Sequence, residues 1–298
     1  MSACDIKTYL EERRRLVDAA LERLLPPEDA LPPALHKAMR YSIFAGGKRL
    51  RPILAMAAAE AVGANPSTVL DEACSLELIH TYTLIHDDLP AMDNDDFRRG
   101  MPTSHKVFGE AVAILAGDAL QTAAFELLAA AGSGRHTADR IVEAVRLLAC
   151  ACGSRGVIGG QVVDIESEGK PVLRETLDYI HQHKTGALIK SSVLLGAILG
   201  GAGEEQLKAC GRYGESIGLA FQITDDILDV VSTTEQLGKT VGKDARAGKA
   251  TYPGLLGMAE ARRMQQHYYA ASIEALVPFD DKAEPLRLIA RVIVERQN

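Results

Sequence analysis

The sequence predicts an all-α fold, one domain over residues 1–298 with about ten or more helices around a central bundle cavity. Three observations predict it. No stretch sustains the period-two alternation of a half-buried strand between hairpin turns. Apolar residues recur at helical spacing through most of the chain. Two of the apolar helices also bear clustered aspartates, HDDLPAMDNDD from His86 to Asp96 and TDDILD from Thr224 to Asp229. No repeat of fixed length is present, so a solenoid is excluded.

In chain order, Asp5 to Leu25 reads as an amphipathic helix closed by Pro26 and Pro27. A second helix starts at Pro32, an allowed first-turn position, and runs to Ala45, where Gly46 and Gly47 end it. Pro52 opens a third, apolar helix. In Ser67 to Asp88, Leu78, Ile79, Tyr82, Leu84 and Ile85 recur at helical spacing, so its end is expected in the interior. Pro90 pushes Leu89 out of the α region and stops it. Gly109 to Ala131 is almost wholly small and apolar, as in an interior or subunit-interface helix. Thr137 to Cys152 gives a further helix, followed by the glycine-rich GSRGVIGGQVVDIESEG with Gln161 and Asp164 on apolar flanks. Leu173 to Leu199 has HQHKTG in its middle, and the Asp225 helix comes next. A loop then places Lys239, Lys243 and Lys249 among glycines, and Tyr252 to Asn298 is helical with one break near Pro278.

Composition excludes several function classes. Apolar residues at 47% and charged residues at 24% suit a globular body with a sizeable core. The net charge of −7, from 33 basic and 40 acidic side chains, argues against a nucleic-acid partner. Five cysteines, mostly in apolar helical text, imply no disulfide framework, and Cys150 and Cys152 lack the matching cluster a zinc site needs. The N-terminal MSACDIKTYLEERRR is charged throughout and holds no signal-peptide core, so a cytoplasmic location is expected. No transmembrane segment is expected: Ala111 to Ala131 contains Asp118, Gln121 and Glu126, and Ser191 to Gly203 is too short.

The chemistry starts from carboxylates at the wrong end of a helix. A helix C-terminus carries about half a negative charge, so Asp87 and Asp88 are disfavoured there, and adjacent carboxylates repel. Asp93, Asp95 and Asp96 follow closely. A divalent cation with hard oxygen ligands reverses these penalties, and Mg²⁺ usually takes one or two carboxylates and completes its shell with water and substrate phosphate. In the second motif Asp225 and Asp229 share a helix face, and Asp226 lies about 100° around. The bland alternative for each acidic run is a solvated face. Cations suited to phosphate lie elsewhere: Arg98 and Arg99 after the first motif, and Lys48, Arg49 and Arg51 beside Gly46 and Gly47. Ordinary helix-cap compensation would also explain the latter group. His181 and His183, two apart, diverge on a helix and should not share one metal. Lys184 and Thr185 interrupt an apolar helix, which either a phosphate or a salt bridge would explain.

With these motifs read, the chain resembles the trans-isoprenyl diphosphate synthases along nearly its whole length. The pieces occur in family order: GGKRLRP at 46–52, LIHDDLPAMDNDDFRRGMPTSHKVFGE at 84–110, GDAL at 117–120, GGQVVD at 159–164, HKTG at 183–186 and GLAFQITDDILD at 218–229. The spacing inside the first aspartate motif resembles the bacterial farnesyl diphosphate synthases (geranyltranstransferases) and the plant-like geranylgeranyl enzymes. The resemblance implies an isoprenoid synthase-type helical bundle that condenses isopentenyl diphosphate with dimethylallyl or geranyl diphosphate through an allylic carbocation, on the order of three Mg²⁺ bridging the diphosphate and Mn²⁺ as a substitute. It further implies Asp87, Asp93 and Asp225 as main metal ligands, with Asp88 and Asp229 supporting, and Asp226 and Lys184 among the catalytic groups. Arg98, Lys184, Thr185, Gln222, Lys239 and Lys249 would hold the allylic substrate; Lys48, Arg51, His80 and Arg99 would hold isopentenyl diphosphate. A homodimer is implied, with 111–131 a plausible interface.

Product length is read sterically. Tyr82 lies five residues upstream of Asp87, about 7–8 Å deeper along the helix, and an aromatic there would floor the tunnel for the growing tail. In the family this suits the fifteen-carbon farnesyl product, whereas a small residue permits twenty carbons; Thr83, one position nearer the motif, is small. A geranylgeranyl product is the alternative. One departure is the C-terminus: relatives often finish with a basic cluster that closes over the site, and this chain has ERQN, with Arg296 its one basic residue. Two other function classes fit the residues less well. A class I terpene cyclase is disfavoured because DDILD, GGKRLRP and His80 are intact, and a regulatory subunit because the aspartates are kept.

Overall fold

Prolines and glycines set most helix ends near the expected places. In the computed structural model, which describes residues 3–130, 135–231 and 251–296, α1 (Ala3–Leu24) and α2 (Pro33–Phe44) lead into α3 (Leu50–Ala61). A short 3₁₀ turn, Pro66–Val69, precedes α4 (Leu70–Asp87), with Asp88 as its C-cap. Then follow α5 (Ser104–Phe108), α6 (Glu110–Ala130), α7 (Ala138–Cys152), α8 (Val157–Ser167) and α9 (Arg174–Ile180). Helix α9 passes through a π-helical stretch, His181–Gly186, into α10 (Ala187–Gly200). The long α11 (Glu204–Val231) carries the second aspartate motif, and α12 (Tyr252–Leu256), α13 (Met258–Ala275) and α14 (Glu284–Glu295) complete the described residues.

The departures from expectation are local. Helix α6 matches the helix expected from Gly109, but the stretch before it, expected as a loop, holds the short α5; the C-terminal segment breaks at Gly257 as well as near Pro278. The glycine-rich 153–169 stretch forms α8 over most of its length. A small antiparallel ribbon, β1 (Phe97–Arg98) with β2 (Met101–Pro102), follows the first aspartate motif. Its turn places Arg99 at φ 53° and Gly100 at φ 79°, the paired left-handed geometry of a two-residue hairpin. Strands this short leave no periodicity to read in the sequence.

The helices pack around α3 and α10, which are buried on nearly every face and are accordingly apolar all round. Ala55, Met56 and Ala59 of α3 join a cluster with α1, α2, α4, α6 and α7. Its other face, Ile53, Leu54, Ala57 and Ala58, joins α10, α11 and α14. Helix α6 is long and apolar enough, by length and composition, to cross a membrane. Packing accounts for part of that composition: Gly117 is buried, as are Ala113, Ala116, Leu120, Ala124 and Leu128 in the core cluster that contains α4. Ile114 and Leu115 face outward.

One buried cation ties these layers together at the mouth of the bundle. Arg49, at the N-cap of α3 in the left-handed region (φ 50°), is 3% exposed. Its guanidinium donates to Asp18 of α1 (2.8 Å), Glu77 of α4 (2.8 Å) and the Ile43 carbonyl of α2 (2.7 Å). Glu77 is itself 2% exposed. Removing one member of such a buried pair leaves the other charge without compensation. Arg49→Ala is therefore expected to lower the unfolding free energy by about 3–5 kcal/mol in a urea titration followed by circular dichroism. A loss below about 1 kcal/mol would mean the clamp supports nothing that its neighbours do not.

Candidate active site

The chain after Pro90 folds back under the end of α4 and satisfies its last carbonyls, which a helix cannot do internally. The Asp93 amide donates to the Asp87 carbonyl (2.8 Å), Asn94 to Leu89 (3.1 Å) and Asp95 to Asp88 (3.2 Å). This turn brings Asp93 beside Asp87. Burial, assisted by the Asp93 and Asp88 charges, pushes the Asp87 carboxyl up to about 6, against the pull of Lys184 and Arg98. Asp88, 4% exposed, is gripped through both oxygens by Arg98 of β1, whose Nε lies at 2.8 and 2.9 Å and Nη2 at 2.6 Å. Burial nevertheless leaves Asp88 above the usual carboxylate range. Arg98 thus reaches the acidic end of α4 because the hairpin turns it back.

Helix α11 presents the second acidic wall. Asp225 accepts an ion pair from Arg296 (Nη2, 2.7 Å), whose guanidinium lies 4.1 Å over the Phe221 ring and donates to the Phe221 carbonyl (3.0 Å). A basic contact at the second motif is therefore made by the one C-terminal arginine. Asp229 shares this helix and is buried. Asp226 has the different orientation its position on the helix predicts. Its oxygens accept from the Gln222 amide (3.0 Å) and the Tyr252 backbone N–H (3.0 Å), and His181 Nε2 is 3.3 Å away. Tyr252 stacks on His181 at 4.9 Å and donates to Asp178 at 2.5 Å. Asp226, expected among the catalytic groups, is occupied in anchoring α12 to α11 and the π stretch, and Gln222 is turned toward it.

The π stretch sets Lys184 and Thr185. Gly160 makes the approach possible: a Cβ there would lie 2.4 Å from the Lys184 backbone nitrogen. Lys184 reaches Asp164 of α8 at 2.6 Å, so the salt-bridge explanation for this buried-helix ammonium holds in the structure, and its charge is also felt by Asp87. His181 and His183 diverge as expected: His183 stacks on Tyr179 at 3.9 Å and bonds the Tyr179 carbonyl at 2.7 Å.

Cations gather at the other side of the cleft. Arg99 donates to the Gly46 carbonyl. Arg51 has a buried Nε with no partner, and burial, together with the Arg99 charge, pushes its guanidinium down to about 10. Burial, then the Arg51, Arg99 and Arg98 charges, holds His80 well below the usual histidine range. Lys48 is lowered by burial and by Arg296, against the pull of Asp225. Like charges in such density are costly unless an anion joins them, and guanidiniums fit phosphate oxygens. Among the described residues no three His, Cys, Asp or Glu side chains converge closely enough to hold an ion alone. Lys239 and Lys249 lie outside the described residues. Tyr82 is 4% exposed with its hydroxyl buried and unpartnered, and Thr83 caps back onto the His80 carbonyl (2.8 Å).

Acidic walls flanking a cationic recess, in this motif order, match one family, whose description is polyprenyl synthetase and whose pattern covers residues 32–280. The chain belongs to the polyprenyl synthetase family. It is 48% identical to a heterodimeric geranylgeranyl pyrophosphate synthase large subunit of Arabidopsis thaliana, over all of this chain and 81% of that one. It is 50% identical to a dimethylallyltranstransferase of Fischerella ambigua, covering 98% of this chain and 84% of that one. The crystal structure of an FPP/GFPP synthase from Zymomonas mobilis superposes with a TM-score of 0.87 at 38% identity, covering 98% of this chain and all of the other. The protein is a trans-prenyltransferase that condenses isopentenyl diphosphate with allylic diphosphates.

Sequence reasoning grouped Arg49 with the cations suited to phosphate, whereas its guanidinium is taken up by Asp18 and Glu77; it assigned no role to Tyr252 and left Asp164 open between core and pocket. Only Asp164 had a local signal, a carboxylate on an apolar helix twenty residues before an equally isolated lysine. The raised Asp87 pKa gives a test of strain. The native state binds that proton more tightly than the unfolded chain, so the Asp87 contribution falls as pH rises from about 4 to about 6. Asp87→Asn is expected to raise the stability of the chelator-treated protein by about 2 kcal/mol near pH 7.5, and not at all below about pH 4. A variant no more stable than its parent near pH 7.5 would show that Asp87 bears no such cost.

Proposed function

We propose that the protein is a farnesyl diphosphate synthase that works with Mg²⁺. Asp87, Asp93 and Asp225, supported by Asp88 and Asp229, would hold the ions. The donors are hard carboxylate oxygens, and the Asp87 carboxyl is one whose burial a cation would offset. When bound, the metal neutralises the charge that grows on the departing diphosphate. The chain's own residues do the rest. Lys184, Thr185 and Arg98, with Lys239, Lys249 and Gln222, would orient the allylic diphosphate; Lys48, Arg51, Arg99 and neutral His80 would hold isopentenyl diphosphate with its double bond toward the allylic carbon. The observation that carries this assignment is the buried, partnerless Nε of Arg51 among further cations.

Chain length rests on Tyr82, a buried aromatic whose unpartnered hydroxyl lies within the cluster formed with α6 and α7. As the tunnel floor it would stop elongation at fifteen carbons. A geranylgeranyl product is the second reading, supported by the name of the Arabidopsis relative. We also propose a homodimer through the outward apolar side of α6, where Ile114 and Leu115 are 42% and 56% exposed; burial of such a face against a second copy would remove it from water.

The test is incubation with labelled isopentenyl diphosphate, Mg²⁺ and dimethylallyl or geranyl diphosphate, then chromatography of the dephosphorylated alcohols. Farnesol is the expected end product, and Tyr82→Ala is expected to lengthen it. Geranylgeraniol from the unaltered protein would keep the chemistry and remove Tyr82 as floor. Asp87→Ala combined with Asp225→Ala should abolish turnover and leave the helical circular dichroism intact; undiminished turnover would take both residues out of the mechanism.

A further inference from the structure

The GDAL segment at 117–120 has no role in the site described so far, yet its glycine makes one of the closest approaches in the fold. Gly117 of α6 faces His86 of α4, and a Cβ added there would lie 2.2 Å from His86 Nε2 and 2.5 Å from Cδ2. The imidazole therefore rests directly on the α6 backbone. It is fixed in that seat by a hydrogen bond from Nε2 to the Ile114 carbonyl (3.1 Å), which also sets the proton on Nε2 because a carbonyl can only accept. The Asp118 carboxylate is 3.9 Å away, too far to bond directly.

His86 and Tyr82 are four apart, so they share one face of α4. Side chains on a helix lean toward its N-terminus, which carries the His86 ring back over Tyr82. The two rings meet edge to face, centroids 5.7 Å apart and planes at 78°. Tyr82 has no hydrogen bond to hold its ring, since its hydroxyl is buried without a partner. Its orientation depends on packing, and on this face the packing is an imidazole locked to α6.

We infer that His86, seated on Gly117, is a positioning residue for Tyr82 and hence a determinant of product length. This rests on the reading of Tyr82 as the tunnel floor. Removing the imidazole, or lifting it with a methyl group at Gly117, frees the tyrosine ring to turn into the vacated space and lets a longer tail pass. The phenyl ring of His86→Phe keeps the edge contact and loses only the bond to Ile114.

The experiment compares product distributions from the same incubation for His86→Ala, Gly117→Ala, His86→Phe and Tyr82→Ala, with KM for isopentenyl diphosphate measured alongside. His86→Ala and Gly117→Ala are expected to raise the geranylgeraniol-to-farnesol ratio by about threefold or more with KM changed less than about twofold. His86→Phe is expected to keep the parental ratio. If Tyr82→Ala lengthens the product and neither His86→Ala nor Gly117→Ala does, the positioning role is overturned while the floor stands. If Tyr82→Ala leaves the product unchanged, the floor reading falls and takes this inference with it. Should His86→Ala fail to fold, Gly117→Ala reads the same contact with both rings present, and an unchanged ratio there overturns the proposal.

Discussion

Carboxylates buried at the C-terminal end of a helix are the constraint on which the rest of this structure turns. Asp87 and Asp88 sit where the helix dipole, desolvation and mutual repulsion all oppose ionisation. Such an arrangement persists only where the surroundings over-determine it. The backbone of residues 93–95 ties the loop to the α4 carbonyls, the short ribbon returns Arg98 to clamp Asp88, and the π stretch brings Lys184 within electrostatic reach of Asp87. The acids, and the cations facing them, are each strained alone and complementary together.

Rigidity for this strained mouth comes from below it. Helices α3 and α10 are sheathed on almost every side, so neither can shift without opening both major clusters. Arg49 transmits that rigidity upward: it stands in a left-handed conformation that costs about 1 kcal/mol, yet joins α1, α2 and α4 from between Lys48 and Arg51 of GGKRLRP. Within that one segment a structural arginine and the arginine proposed to hold isopentenyl diphosphate lie two residues apart. Arg49 has three partners, whereas Arg51 keeps a buried Nε without one.

What the sequence made legible follows from the range of the physics involved. Helix identity and most ends come from local signals, apolar spacing with proline and glycine, and these held. The ribbon at 97–102 was invisible because two residues cannot display a period, and α5 because its five residues span little more than one helical turn. In the site, the acidic and basic motifs were readable as chemistry. Their pairing was not, because it joins distant segments: Asp164 with Lys184, Asp225 with Arg296, Asp226 with Tyr252. Helical phase alone separated Asp226 from Asp225. That it then serves as an anchor depends on His181 and Tyr252, which no spacing rule links to it.

The observed pairs share a pattern. Asp88 is held by Arg98, Asp225 by Arg296, and Lys184 is held by Asp164 while pulling on Asp87. Asp88, Asp225 and Asp164 thus each have a cation beside them of the kind that binds phosphate. On the proposed reading, Asp88 and Asp225 would hold metal where Arg98 and Arg296 would hold phosphate oxygens, so that these groups keep a partner of opposite charge with or without substrate. Bare buried charges cost several kcal/mol each, so a route that keeps every group paired has the lower barrier. Partner exchange of this kind needs side chains of fixed position and short reach, which is what the folded-back loop, the ribbon and the π stretch supply.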